Sequence, residues 1–174
     1  MIVNTEIELK PFSIDQAPYI FKIIDTERDY LRIWLPFIDS RQKVEQIEEY
    51  IEFVLGSDNQ QFAIYFQGQC VGIIGFKDTD FDNRKSEIGY WLSQYQQGNG
   101  IVTQSVQKML EFAFNELHLN RIQIKVAVDN KKSRAIPERL GFHLEGIERD
   151  GELLINNTYT DIAIYSILKK EYKG

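Results

Sequence analysis

The sequence predicts an α/β fold: a mixed β-sheet with helices on its faces. Three observations predict it. Apolar, β-rich runs alternate with stretches whose apolar residues recur at helical spacing. Phe62-Ala63-Ile64-Tyr65-Phe66 and Cys70-Val71-Gly72-Ile73-Ile74-Gly75-Phe76 flank a short Gln67-Gly68-Gln69 turn, the pattern of a hairpin. The apolar run Ile88-Gly89-Tyr90-Trp91-Leu92 leads through Gln97-Gly98-Asn99-Gly100-Ile101-Val102 into a helical pattern of Val102, Val106, Met109, Leu110, Phe112, Ala113, Phe114 and Leu117. Strand, glycine loop and helix therefore follow one another.

With 174 residues the chain fits a single domain spanning 1–174 and can bury a sizeable core. A hydrophobic content of 43% with 26% charged residues predicts a soluble, globular protein. The net charge of −6 argues against a nucleic-acid surface and is compatible with a cationic acceptor such as an amine. Cys70 is the one cysteine, so no internal disulfide forms and a reducing cytoplasm is the expected compartment. It lies in an apolar strand run and reads as packing rather than as a nucleophile. No apolar run approaches the ~18 residues that span a membrane, and no basic-then-apolar leader opens the chain. Neither membrane nor nucleic acid is an expected partner.

Taken in order, Glu6 to Phe12 alternates apolar and polar residues as a half-buried strand does. Ser13 and Gln16 have capping-box spacing before a helix through Ala17, Ile20, Phe21, Ile23 and Ile24. Leu31 to Phe37 reads as a short helix and loop stopping at Pro36. Ser40 is placed to cap a helix carrying Val44, Ile47, Ile51, Val54 and Leu55 on one face and ending at Gly56. After the hairpin, Asp78 to Asn83 is an acidic loop without the spaced ligands and closing Glu of a calcium site, so no metal is expected. Lys85–Leu92 is a strand, and Leu117 to Asn120 ends the helix that follows the loop, with His118 favourably placed at its C-terminus. Arg121 to Val128 is the next strand. The last two strands run from Phe142 to Arg149 and from Thr158 to Leu168, joined through Asp150-Gly151 to Asn156-Asn157. His143 reads as structural.

The glycine loop carries the first chemical signal. A strand–loop–helix junction points backbone N–H groups and a helix N-terminus at one spot, which suits an anion such as a pyrophosphate. Glycine lets the backbone approach, although a lone Gly-x-Gly is also an ordinary turn. A second stretch follows about thirty residues on: Asn130-Lys131-Lys132-Ser133-Arg134-Ala135-Ile136-Pro137-Glu138-Arg139-Leu140-Gly141-Phe142. Together the two resemble the signatures of the GNAT superfamily of acetyl-CoA-dependent N-acetyltransferases. Gln97-x-x-Gly100-x-Val102 matches the first, and Asn130-x-x-Ser133-x-x-Ile136-x-x-x-x-Gly141-Phe142 the second. Glu87 to Leu92 with the Ser form of the second motif is similar to the RimJ/RimL branch, the ribosomal-protein N-terminal acetyltransferases.

The resemblance implies a mostly antiparallel sheet whose middle strands, ending at Leu92 and starting at Arg121, splay apart to admit acetyl-CoA. It implies that Gly98 to Thr103, with Asn99, Gly100, Ile101 and Val102, hold the pyrophosphate after Gln97. Trp91, Leu92 and Ser93 would offer the pantetheine arm a strand edge, and Asn130 would reach its amides. Val102 departs from the Gly or Ala that is commoner there, but its N–H remains available. Trp34, Leu35 and Phe37 lie where the family walls its acceptor site; as residues alone they read equally as a core plug. Lys131, Lys132, Arg134 and Arg139 could contact the nucleotide phosphates or form a solvated helix face.

Acetyl transfer needs a neutral amine, donors for the developing oxyanion and a proton for the leaving thiolate. Glu87 is the candidate base, acting through water, unless it is simply a solvated strand residue. Many GNAT enzymes place a Tyr after the apolar residue of the second motif; here Ile136 is followed by Pro137, which has no donor. Ser133 is the remaining hydroxyl and the thiolate's proton source in the resembled branch, its alternative being a local backbone bond at a helix start. Pro137 cannot donate to the carbonyl of Ser133, so the helix is expected to kink or begin late. An α-amine with pKa near ~8 is cheaper to deprotonate than a lysine near ~10.4 by roughly 3 kcal/mol, which favours N-terminal amines. The expected activity is acetylation of a protein N-terminus. A small-molecule amine (polyamine, amino acid or aminoglycoside) and a non-catalytic acetyl-CoA sensor are the alternatives, and a homodimer or higher homo-oligomer is the expected assembly.

Overall fold

A computed structural model describes residues 1–174. Its seven strands form one sheet: β1 (Ile7–Pro11), β2 (Gln61–Phe66), β3 (Gln69–Asp80), β4 (Lys85–Leu92), β5 (Arg121–Ala127), β6 (His143–Leu153) and β7 (Tyr159–Leu168). Their spatial order is β1-β2-β3-β4-β5-β7-β6. Every neighbouring pair is antiparallel except β4 and β5. The helices are α1 (Ala17–Thr26), α2 (Arg28–Leu31), α3 (Glu45–Leu55), α4 (Ile101–Asn115) and α5 (Lys131–Arg139). None is long and apolar enough to cross a membrane.

Alternation along the strands divides the core between two faces. Phe62, Ile64, Ile74 and Phe76 point to the face covered by α4, while Ala63 and Ile73 point to the face covered by α1 and α3. Helix α4 buries Ile101, Val102, Ser105, Val106, Met109, Leu110, Ala113 and Phe114, the stripe that a 3.6-residue period places on one side. Val102 is therefore a core residue, and its branched side chain packs where a smaller one is commoner. Helix α3 does the same with Ile47, Ile51 and Val54, and α1 with Ala17, Ile20 and Ile24.

The pairing of β4 with β5 covers only Lys85 to Glu87 against Arg121 to Gln123. Beyond that point β4 continues to Leu92 paired with β3 alone, and β5 continues to Ala127 paired with β7 alone. The expected splay is present, and it leaves one free edge on each middle strand.

Several local expectations are corrected. Ser40 does not cap α3, which begins at Glu45; it ends a 3-10 turn over Pro36–Ser40, with its hydroxyl on the Phe37 carbonyl at 2.8 Å. Gln46 serves the helix start instead, its Oε1 accepting from the N–H groups of Gln42 and Lys43. Pro36 opens that 3-10 turn rather than only stopping a helix, because its missing N–H costs nothing at a first position. The acidic loop is shorter than expected, since β3 runs to Asp80. The pair Asp150-Gly151 is no turn: Asp150 takes φ 50° inside β6, its N–H on Asp161 Oδ1 at 2.9 Å. The register shifts there between Glu148 and Glu152, a bulge, and the reversal comes later at Leu154 to Thr158. His118 acts through its backbone, in the left-handed conformation at φ 54° beyond the end of α4.

Helix α5 does not begin late; it runs from Lys131 to Arg139 with Pro137 inside it. The carbonyl of Ser133, left without its helical donor by Pro137, accepts the hydroxyl of Tyr90 at 3.0 Å. A strand side chain thus replaces the missing helical hydrogen bond.

Candidate active site

The glycine loop works through backbone conformation. Gly98 and Gly100 have φ of 82° and 69°, values that L side chains rarely adopt. Gly100 is the N-cap of α4, so the loop turns sharply and the first N–H groups of the helix have no intrahelical partners. Gln97 braces the loop: its amide donates to the Tyr30 hydroxyl, and its Oε1 accepts from Lys132 Nζ at 2.8 Å. Arg139 Nη1 donates to Thr103 Oγ1 at 2.8 Å, which holds a guanidinium beside the start of α4. The buried carboxylate of Glu27 ties the segment after β4 to α2, accepting from Ser93 Oγ at 2.6 Å and Gln94 N–H at 2.7 Å.

Two cavities occupy the splay. The larger, about 1040 Å³, is lined by Trp91, Leu92, Gln97, Gly98, Gly100, Ile101, Val102, Thr103, Asn130, Ser133 and Arg139, with Lys131 and Lys132. Of the predicted loop residues only Asn99 is turned aside, its amide on the Gln96 carbonyl at 3.3 Å. The inner cavity, about 480 Å³, is lined by Trp34, Leu35, Phe37 and Glu87. Six residues line both: Trp34, Leu35, Tyr90, Trp91, Asn130 and Ser133. The cavities thus meet beside the first turn of α5.

That turn is built by Asn130, whose Oδ1 accepts from Ser133 N–H at 3.2 Å as an N-cap. Ser133 Oγ itself makes no hydrogen bond within the protein, so the alternative of a local backbone bond is not realised. The hydroxyl is free toward the junction of the cavities. Arg134, by contrast, faces away, donating to Tyr165 Oη at 2.9 Å and the Val128 carbonyl at 3.1 Å.

Glu87 is not a solvated strand residue. Its side chain is 3% exposed, paired with Lys77 Nζ at 2.6 Å and accepting from Gln123 Nε2 at 3.0 Å. The structure brings a second carboxylate into the same cavity, Glu152. It makes no ion pair and, although it lines the cavity, the residue as a whole is solvent-exposed. Partial burial of its carboxyl raises the pKa above the ordinary carboxylate value; Lys77 counters that rise and the charge of Glu87 adds to it. Glu152 was not legible in the sequence because Asp150-Gly151 reads as a turn, whereas the bulge there carries the strand onward and over the cavity. Tyr90 was also missed: burial raises the pKa of its hydroxyl, which stays a donor to Ser133. Burial likewise pushes the Cys70 thiol up to about 11, in keeping with a packing role. The arrangement offers an anion-holding loop, a free hydroxyl at a junction, and a protonatable carboxylate in the cavity beyond it.

Comparison with known proteins follows the same lines. Residues 6–143 match the family described as an acetyltransferase (GNAT) domain. The chain is 36% identical to YdaF of Bacillus subtilis, provisionally named a ribosomal N-acetyltransferase, over 99% of this chain and 96% of YdaF. A solved structure of RimL, the ribosomal L7/L12 alpha-N-protein acetyltransferase, in complex with coenzyme A superposes with a TM-score of 0.90. It shares 27% identity over 96% of each chain. The microcin C7 self-immunity acetyltransferase MccE, solved with acetyl-CoA and AMP, gives a TM-score of 0.88 at 30% identity over 95% of this chain and 94% of that one.

Proposed function

Because this chain belongs to the GNAT acetyltransferase family and is an acetyl-CoA-dependent N-acetyltransferase, we propose that its acceptor is the α-amine of a polypeptide N-terminus. The single observation that carries the reading is the meeting of the two cavities at Ser133. The larger cavity, with Gly98, Gly100 and the N-terminus of α4, has the conformation and the free N–H groups that a diphosphate requires, and Lys132 and Arg139 add positive charge. The free edge of β4 at Trp91 and Leu92 offers backbone groups to an extended amide chain. Acetyl-CoA supplies an acyl thioester to be attacked by the amine, and the inner cavity is where that amine arrives.

Within the inner cavity Glu152 takes the proton of the attacking amine, directly or through water. Glu87, the acid foreseen for this task, is engaged by Lys77 and Gln123 and acts by its charge, helping to keep Glu152 basic. Ser133 gives its proton to the departing thiolate, being the one hydroxyl of the second motif and unbonded within the protein. A carboxylate base suits an α-amine better than a lysine, whose deprotonation costs roughly 3 kcal/mol more. The charges lining the inner cavity also bear on small amines. Arg41, Lys77 and Lys125 are matched by Glu87, Glu152 and the Glu148 beside Lys125, so the lining has no acidic excess to attract a polyamine.

The test is incubation with acetyl-CoA and a mixed set of N-terminal peptides, lysine peptides, amino acids, polyamines and aminoglycosides, read by mass spectrometry. Acetylation confined to peptide α-amines is expected. Turnover of a polyamine or an aminoglycoside with peptides untouched refutes the acceptor assignment. Binding of acetyl-CoA with no acetylated product from any acceptor points to a sensor.

A further inference from the structure

The inner cavity holds one cation that nothing in the protein neutralises. Arg41 lines it, and its guanidinium makes no ion pair and no hydrogen bond. Its neighbours are all engaged: Arg28 with Asp25 at 3.4 Å, and Arg32 with Asp39 at 2.7 Å. Among the other cations of the cavity, Lys77 is held by Glu87 at 2.6 Å and Lys125 lies 3.9 Å from Glu148.

Arg41 is also positioned. Arg28 donates to the carbonyl of Ile38 at 2.6 Å and to that of Arg41 at 2.8 Å, and the Arg41 N–H bonds the Ile38 carbonyl at 3.1 Å. The segment is therefore pinned at both ends to α2. The guanidinium lies over the Tyr50 ring, 5.7 Å from its centroid, and Tyr50 packs edge-on against Phe12 at 6.0 Å. A guanidinium drawn to the face of a fixed ring by cation–π attraction keeps its N–H fork free for a planar anion.

Arg41 and Glu152 are thus the two unpaired charges of opposite sign in one cavity. Resting on the acceptor reading above, we propose that Arg41 selects acceptors that carry a carboxylate within the first few residues after the reactive amine. The guanidinium holds the carboxylate through paired N–H···O bonds while the amine sits at Glu152. An acidic side chain at the second or third position of a polypeptide provides such a group, and the α-carboxylate of a free amino acid provides the same chemistry. Arg41 is a specificity-determining residue in this account, and it lines only the inner cavity.

The experiment compares C-terminally amidated peptides that begin with serine and carry Asp, Asn or Lys at the second or third position, with free serine and aspartate as separate acceptors. The wild type is expected to show a KM for the Asp peptides roughly five- to tenfold below that of the Asn peptides, with Lys peptides poorer still. Arg41→Gln is expected to abolish that preference and Arg41→Lys to keep part of it. Calorimetric affinity for acetyl-CoA should stay unchanged in both, which excludes misfolding as the cause. Equal KM values for Asp and Asn peptides in the wild type, or a preference that survives in Arg41→Gln, overturn the role of Arg41 while leaving N-terminal acetylation standing. Turnover of free amino acids alone, lost in Arg41→Gln, supports Arg41 but overturns the polypeptide acceptor.

Discussion

The hydrogen bond from Tyr90 to the Ser133 carbonyl makes a quantitative test of how the candidate active site is held together. Tyr90→Phe removes the donor and leaves the carbonyl bare, because Pro137 cannot supply the helical N–H. Orphaning a buried acceptor costs about 1–3 kcal/mol. Tyr90 and Ser133 both line the two cavities, so water reaches the site and the lower part of that range applies, about 1–2 kcal/mol. The diagnostic comparison is the same substitution in a Pro137→Ala background. Residue 137 then has an N–H four residues from the carbonyl of Ser133, the helix supplies the bond itself, and the loss of the Tyr90 hydroxyl becomes nearly neutral. A double-mutant cycle from urea unfolding, with unchanged slope, should therefore give a coupling of about 1 kcal/mol or more. If Tyr90→Phe costs the same in the wild-type and Pro137→Ala backgrounds, to within about 0.3 kcal/mol, the hydroxyl is not standing in for the helical donor and the reasoning fails.

Four further outcomes follow from named contacts. Ser133→Ala should bind acetyl-CoA normally by calorimetry and turn over about 10²-fold more slowly; an unchanged rate removes Ser133 from the mechanism. Because burial raises the pKa of Glu152 and a base must lose its proton to act, kcat/KM should rise with pH through a limb above the ordinary carboxylate value of 4.5, and Glu152→Gln should lose that limb with most of its rate. Glu145, hydrogen-bonded to Arg121 Nη1 and Nη2 at 2.5 and 2.6 Å and to Ser166, has a pKa lowered from 4.5 to about 2. A depressed carboxylate contributes stability above the unfolded value and loses it as pH falls through the folded one, so the urea midpoints of wild type and Glu145→Gln should differ near neutrality and converge between pH 4.5 and about 2. Gly100→Ala forces a Cβ into φ 69°, with Gln104 Nε2 only 3.3 Å away; it should lower stability by about 1 kcal/mol by thermal unfolding and weaken acetyl-CoA binding.

The side proposed here for the cofactor was legible in the sequence because its local conformational requirements fall on contiguous residues. A loop that turns at Gly98 and Gly100 needs glycine at positive φ, and a helix that starts at Lys131 needs a capping Asn130. Each demand restricts residue type at a set spacing, so the chemistry leaves a motif. The sheet was legible for a similar reason, since β4 matches its apolar run from Lys85 to Leu92. What failed locally were signals with two outcomes: Asp150-Gly151 makes a bulge as readily as a turn, and Ser40 can end a 3-10 turn as readily as cap a helix.

The inner cavity, the proposed acceptor side, leaves no such trace, and the reason is geometric. Its charges come from five separate places: Arg41 after the 3-10 turn, Lys77 on β3, Glu87 on β4, Lys125 on β5 and Glu152 on β6. Each has an ordinary local explanation, a charged residue on a strand or beside a turn, and no spacing links one to another. They meet only because β4 and β5 part after Glu87 and the bulge in β6 carries Glu152 across the opening. The same separation has a consequence for divergence within the fold. Arg41 lines the inner cavity and not the larger one, whereas Ser133, Tyr90 and Asn130 line both and cannot change one without the other. On the proposed assignment, acceptor choice is free to vary over a fixed transfer apparatus, and the residues to compare among relatives with different acceptors are those at positions 41, 125 and 152 rather than those of the two motifs.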